Sequence, residues 1–515
     1  AAREMRDADT WIVPTFNYEL RTAKPVMLYW LMRASYDMFG VSEWSARLPS
    51  ALAACLAVLL TYELARRMFS SATALLSGVV LTSVVQFGLL SHAATPDATL
   101  LLFTVLTYLA FWVGHTNDSR GWWIPTAAAC GLAMLTKGPV GVALPGLVIF
   151  LYFAWNRELA RLLDRRILWA GLVFLLVAGP WYGLVANETR GEWLKAFFGN
   201  ENVNRFMNPM DGHSGDVWFY AIAILVMFAP WSVVIGLAMW YGVQGTHNRA
   251  SEGKSSTITP EIRAHRCLVC WVLSYFLFFS AAATKLPNYI FPLYPALAIL
   301  TARFLLQWRE GALAVRSWLM PAGAGGLALV GFLFAGGLIY ANAHMPGLRI
   351  WAVLGAIPVA GALAMGWYLH QGDRAAVVNS MAVASVAFIG TIVALPPIEV
   401  DRQKAPRELV RATGMADPDR DVRVAAFAWF EPSLVFYSGR EVEILSSVAA
   451  VDEFLAVPTP GYLLIPSTTW ERIETTVSGP HRILARHKDF LKKCEVLVIT
   501  NQCSRVAATA AGPAR

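Results

Sequence analysis

The chain has 515 residues, 56% of them hydrophobic and 15% charged, with a net charge of +7 and a mean hydropathy of +0.48. That balance excludes an ordinary soluble globule. The cations form no stripe of the kind a nucleic-acid-binding surface needs, so nucleic acid is not an expected partner.

The opening Ala1-Ala2-Arg3-Glu4-Met5 reads as the inside of a helix, and further sequence is expected upstream of it. Residues 1–47 are too polar to span a bilayer; the aromatic and apolar spacing from Lys24 to Phe39 predicts a helix lying in the interface. About twelve apolar runs of membrane length follow. They fall near 48–66, 72–91, 97–114, 121–136, 138–155, 166–186, 216–241, 265–283, 287–306, 317–341, 350–370 and 374–395. Only Thr136-Lys137-Gly138-Pro139 and Thr284-Lys285-Leu286-Pro287 divide the runs at 121–155 and 265–306, which predicts two tight helical hairpins.

Cationic loops alternate with these runs: Arg66 and Arg67; Arg120; Arg157, Arg161, Arg165 and Arg166; Arg249, Lys254, Arg263 and Arg266; Arg309 and Arg316; Arg374. The positive-inside rule places them in the cytoplasm, for a multi-pass protein of the inner (plasma) membrane. Loops 92–96, 136–139, 187–215, 284–287 and 342–349 then face outward, with residues 1–47 and the tail. Loop 187–215, rich in Asn, Glu, Arg and Phe, is expected to cover or bind substrate.

From about 396 the pattern changes. Val422–Phe430, Leu434–Tyr437, Glu441–Leu445, Tyr462–Ile465, Arg482–Arg486 and Glu495–Ile499 read as short strands, with a helix near 447–456. The final dozen residues are expected to be disordered. The predicted fold class is an α-helical polytopic membrane protein with a small extracytoplasmic α/β C-terminal domain. Its parts are residues 1–47, the membrane domain 48–395 and the tail domain 396–515.

Several look-alikes carry little. Cys267 and Cys270 form a C-x-x-C inside an apolar run, where small packing residues explain them better than a metal. Cys494 and Cys503 would form one disulfide outside the cytoplasm. The glycine-rich Gly323–Ala328 mimics a dinucleotide fingerprint, but in an apolar run it means close helix packing.

The chemistry concentrates on the outward face. A lysine is costly within a bilayer, yet Lys137 and Lys285 sit in matching short turns opposite the usual cationic side. Each alone reads as a snorkelling interface lysine; as a pair they point to an anion, and lysine is a good point-charge partner for phosphate. Lys24, preceded by Arg21, adds cations to this face, as do Arg205 and His213 in the long loop. Asp97, after Thr95-Pro96, reads equally as a helix start capped by Thr95 and as a functional carboxylate.

These residues resemble a known family. Asn17 to Trp30 with Lys24-Pro25, then Phe39-Gly40-Val41 and Ala46-Arg47-Leu48-Pro49-Ser50, is similar to the first outer loop of polytopic lipid-linked glycosyltransferases. The resemblance is to the bacterial GT-C branch related to protein O-mannosyltransferases, and within it to the aminoarabinose transferases that modify lipid A. Thr95-Pro96-Asp97, Thr136-Lys137-Gly138-Pro139, Gly179-Pro180-Trp181-Tyr182, Arg205-Phe206, Lys285-Leu286-Pro287-Asn288-Tyr289-Ile290 and Glu431–Tyr437 continue it.

The resemblance implies inverting transfer of a hexose or pentose from a polyprenyl phosphate to a glycolipid, such as lipid A, or a protein at the outer leaflet. It implies Asp97 as the second acid of the site; the main acidic pair belongs shortly before the sequence matching Ala1–Met5. Lys24, Lys137 and Arg205 would line the donor phosphate cavity, and Tyr289 would contact the phosphate. Ala23, Val26 and Asn202 stand where the aminoarabinose enzymes commonly carry Glu, Pro and His, which bears on the donor sugar and on any metal. A divalent metal is left open and no other cofactor is implied. The alternative function is a lipid transporter or flippase without chemistry.

Overall fold

The computed structural model describes residues 1–117, 120–210, 212–247, 258–489, 492 and 494–502. Expectations touching Arg249, Lys254, Cys503 and the final dozen residues lie outside the described residues. Contacts divide the chain into two compact units. Ala1–Phe16, Leu20–Gly337 and Ala352–Ala394 form the first; Asn17–Glu19, Leu338–Trp351 and Leu395–Arg515 form the second.

Among the described residues, the first unit holds most of the eight helices long and apolar enough to cross a membrane, or up to ten if each bent pair is one span. Tyr294–Arg309 runs through its interior, with Ala296, Ile299, Leu300 and Phe304 fully buried. Arg166–Glu188 instead turns Leu168, Trp169, Leu175 and Leu176 outward, and Leu319–Ala341 does the same with Leu329, Phe332 and Leu333. So much exposed apolar surface is tolerable only against lipid, and the chain is a multi-pass membrane protein.

The expected count of about twelve spans is not reproduced. Runs 121–136 and 138–155 fold as Trp123–Lys137 and Val140–Trp155, of 15 and 16 residues. Such helices are about 22–24 Å long, short of a hydrocarbon core of about 30 Å. Runs 72–91 and 216–241 are not straight either: Ser71–Thr82 meets Val85–Ser91 at 70°, and Phe219–Met227 meets Trp231–Gln244 at 118°. The two breaks face each other. Val85 N–H donates to the Ala229 carbonyl at 3.0 Å, and the Trp231 indole donates to Ser83 Oγ at 2.8 Å. Backbone groups released at each break thus find partners inside the protein, the condition for irregular backbone at membrane depth.

Two further stretches complete this unit. The predicted interfacial helix forms as Met27–Phe39 and buries Met27, Leu28, Arg33 and Tyr36. The expected loop 187–215 is largely helical: Glu192–Lys195, a π-helix over Ala196–Asn204, then Arg205–Met207. Aromatic burial drives this correction. Trp193 and Phe197 are almost fully buried, with ring centroids 4.6 Å apart, and Trp193 packs edge-on against Trp181 at 4.9 Å.

The second unit carries a five-stranded mixed sheet in the order Val442–Leu445, Arg423–Phe427, Gly461–Pro466, Cys494–Thr500, Arg482–Asp489. The first three strands are parallel and the last two antiparallel to their neighbours. Gly461–Pro466 is buried throughout, so it reads as an unbroken apolar run without alternation. Leu434–Tyr437 is not a strand but part of the helix Pro432–Ser438. Pro432 fits the first helical turn and Gly439, at φ 66°, ends it in the left-handed conformation.

The 123–155 hairpin closes through a small residue. A Cβ on Gly141 would lie 2.5 Å from the Ala133 carbonyl, so only glycine lets these helices touch. Gly141→Leu should destabilise the protein by at least about 1–3 kcal/mol, read as a lower thermal midpoint in detergent, whereas Gly146→Leu, open to its surroundings, should change it little.

Candidate active site

Asp97 is the first residue of the helix Asp97–Thr116 and is buried. Lys137 is the last residue of Trp123–Lys137. The two helices are consecutive and antiparallel, so the start of one and the end of the next share one end of the bundle. Lys137 Nζ donates to Asp97 Oδ1 at 2.6 Å, and the Asn288 amide donates to both Asp97 oxygens at 3.2 Å each. No side chain caps the start of the Asp97 helix, so the Thr95 cap expected from sequence is replaced by this carboxylate clamp.

The Lys137 turn is rigid for local reasons. Gly138 has φ +76°, a conformation side-chain-bearing residues rarely adopt, and a Cβ there would lie 2.4 Å from the Phe197 ring. Pro139 then starts the next helix. The ammonium therefore leaves the helix end at a fixed point, and it also lies 5.3 Å from the Tyr289 ring centroid.

The second Thr-Lys-x-Pro turn does different work. Lys285 is buried and donates to the Ser280 and Ala282 carbonyls at 2.7 and 2.9 Å, capping the end of Pro260–Ala281. It lies 5.7 Å over the Tyr220 ring. Its neighbour Thr284 receives the Met210 N–H at 3.1 Å and donates to the Asn208 carbonyl at 2.9 Å. Backbone bonds from Ala283, Thr284 and Lys285 to the carbonyls of Phe206, Arg205 and His213 complete the seam. Beyond the turn, Asn288 reaches Asp97 while the Tyr289 hydroxyl accepts from Arg205 at 3.4 Å.

Arg205 also pairs with Glu201 at 3.2 Å. Lys24 is half-buried, with Nζ on its neighbour's carbonyl, Ala23 O, at 2.8 Å. Burial pushes the Lys24 ammonium down to about 8; Lys137 and Arg205 add repulsion, while Glu201 and Asp97 oppose it. Lys24, Asp97, Lys137, Glu201, Arg205, Asn288 and Tyr289 thus form one electrostatically coupled group.

The remaining expected residues sit elsewhere. The Arg21 guanidinium lies 5.0 Å over the Phe16 ring. The His213 side chain is exposed, and its carbonyl serves the seam with Lys285. In the sequence Asn288 and Glu201 stand only as letters within motifs, and nothing local assigns either a role. Among the described residues, no three His, Cys, Asp or Glu side chains gather as a metal site would require.

A buried ion pair resists loss of one partner far more than loss of both. Asp97→Asn and Lys137→Met should each destabilise by about 3–5 kcal/mol, and the double variant by less than their sum. A double-mutant cycle on thermal unfolding measures the difference.

Known proteins share this architecture. Residues 23–182 match the family model described as dolichyl-phosphate-mannose-protein mannosyltransferase. An undecaprenyl phosphate-alpha-4-amino-4-deoxy-L-arabinose arabinosyl transferase of Pseudomonas paraeruginosa is 31% identical over 409 residues, 77% of this chain and 70% of that protein. The same-named protein of Erwinia tasmaniensis is 32% identical over 310 residues, 58% of this chain; the match spans about half of that relative, 53% of its length. In fold, the chain superimposes on ArnT from Cupriavidus metallidurans bound to undecaprenyl phosphate with a TM-score of 0.78 at 24% identity, covering 100% of this chain and 93% of that one. The chain belongs to the family of polytopic lipid-linked glycosyltransferases that includes the undecaprenyl phosphate-aminoarabinose arabinosyl transferases.

Proposed function

We propose that the protein transfers a sugar, hexose or pentose, from a polyprenyl phosphate of the undecaprenyl type to a glycolipid such as lipid A or to a protein, with inversion, on the extracytoplasmic face of the plasma membrane. The observation that carries this reading is the convergence of the Lys24, Lys137 and Arg205 cations around Asp97 and Glu201. Clustered cations are the complement of a lipid-linked phosphate. The arabinosyl transfer named for the relatives supports transfer over transport without chemistry. Topology supports the outward face: Arg66 and Arg67 end Glu43–Met68, whose opposite end lies by Asp97 through Ser50 Oγ on the Thr95 carbonyl at 3.2 Å.

In the proposed reaction the acceptor hydroxyl attacks the anomeric carbon from the face opposite the phosphate. The C–O bond to phosphate breaks, and the electron pair leaves with the polyprenyl phosphate. Cations aimed where that charge grows lower the barrier, each such donor being worth about 10²–10³-fold. Removal of the acceptor proton by a carboxylate contributes about 10²–10⁴-fold. Asp97, with both oxygens engaged, instead holds the Lys137 ammonium aimed until the phosphate takes over.

Lys137→Ala in the full-length protein should reduce transfer by about 10²–10³-fold, whereas Lys285→Ala, which loses a helix cap, should act mainly on stability. Mass spectrometry of glycolipids and glycoproteins from cells with each variant reads transfer per molecule of folded protein and names the acceptor, and thermal unfolding reads the stability of each variant. Normal product levels with Lys137→Ala would sink the reading.

Lys24 supplies a pH signature. A lowered lysine pKa means its charge is lost as pH rises through about 8, so KM for the donor should climb above that pH and the climb should vanish in Lys24→Arg. The stability sign is opposite. Between about 8 and the usual 10.5 the unfolded chain holds the proton that the folded one has released, so this group's contribution to stability rises with pH there.

A further inference from the structure

A polar cavity lies at the other end of the helix that Asp97 begins. His115 stands in the last turn of Asp97–Thr116, about 27 Å along its axis from Asp97. A cavity of about 220 Å³ opens there, lined among others by His115, Trp122, Trp123, Phe153, Arg161 and Arg166. It shares no residue with the Asp97 group, and its chemistry is independent of glycosyl transfer.

We propose that this cavity binds the phosphodiester headgroup of an anionic glycerophospholipid, in the leaflet opposite the Asp97 cluster. Three features argue for it. The first is charge: Glu158 is shared by Arg161 at 3.0 Å and Arg263 at 2.9 Å, and Asp164 holds Arg166 at 2.9 Å. Among the described residues three arginines gather here, and Arg157 and Arg165 flank them in the chain. The lining guanidiniums remain reachable, with the Arg161 and Arg166 side chains 43% and 35% exposed.

The second feature is a fixed polar back wall. The His115 side chain is 2% exposed and receives the Arg263 guanidinium on Nε2 at 3.1 Å. The third is the rim. Leu163, Leu168 and Trp169 stand exposed beside the cavity-lining Asp164 and Arg166, a surface suited to acyl chains and unsuited to water. The volume accepts a headgroup but not its tails, which would run along this rim. Basic pockets between membrane helices are recognised sites for anionic lipid headgroups.

The test uses the full chain in nanodiscs of phosphatidylcholine alone or with phosphatidylglycerol, read by thermal unfolding and by native mass spectrometry of retained lipid. Phosphatidylglycerol should raise the unfolding midpoint and stay bound, and Arg161→Gln with Arg166→Gln should cut its retention by about tenfold or more. Arg161→Lys with Arg166→Lys should retain part of it, which separates lost charge from lost fold. Equal behaviour in the two lipid compositions, or undiminished retention in the Gln variant, overturns the proposal and leaves the arginines as ion-pair partners only. Stabilisation of the detergent-solubilised protein by inorganic phosphate to the same extent also overturns it, because the site would then take a small free anion.

Discussion

One buried ion pair organises one end of the membrane unit. Lys137 and Asp97 meet with both side chains largely out of water, and isolating either would cost about 3–5 kcal/mol out of a typical total of about 5–15. The surrounding structure reads as the means of keeping them together. Gly138 ends one helix at a left-handed turn that no side chain could occupy beside Phe197. Gly141 lets the next helix close against Ala133. Asn288 holds both oxygens of the carboxylate, so Asp97 cannot rotate away from the ammonium.

The two Thr-Lys-x-Pro turns show how much a local pattern leaves undecided. Their sequences match, but the first lysine ends a helix that points into the site, whereas the second curls back onto the carbonyls of its own helix end. What the second turn offers the site comes after its proline, as Asn288 and Tyr289. The threonine hydroxyls also diverge: Thr136 bonds its own helix at the Leu132 carbonyl, and Thr284 stitches to a segment some seventy residues earlier. Short-range sequence specifies a turn, and long-range packing specifies which of its atoms matter.

Much of the membrane unit was legible because apolar runs and cationic loops report directly on the bilayer. Asp97, Lys137, Lys24, Arg205 and Tyr289 were legible as misplaced polarity together with the family resemblance. Less legible was whatever depends on a distant partner. Asn288 looks like a turn residue until Asp97 is placed beside it. The breaks near Ser83 and Pro230 leave the hydropathy of their runs intact, so a window average passes over them. The aromatic run Trp193–Phe198 reads as loop because polar residues surround it, and it folds only because Trp181 and Tyr182 supply a surface. Leu434–Tyr437 has strand-like composition, and its flanking Pro432 and Gly439 were the better evidence.

The facing breaks bear on how such a chain is made. Ser83 and Trp231 are 148 residues apart, yet each break leans on the other for its hydrogen bonds. A chain threaded into the bilayer from its N-terminus delivers the first break long before the second exists. Until then Ser83 is held only by carbonyls of its own helix, and the Val85 N–H has no Ala229 carbonyl to meet. The two bonds across the breaks are thus late products of biogenesis, made only once Phe219–Gln244 has arrived.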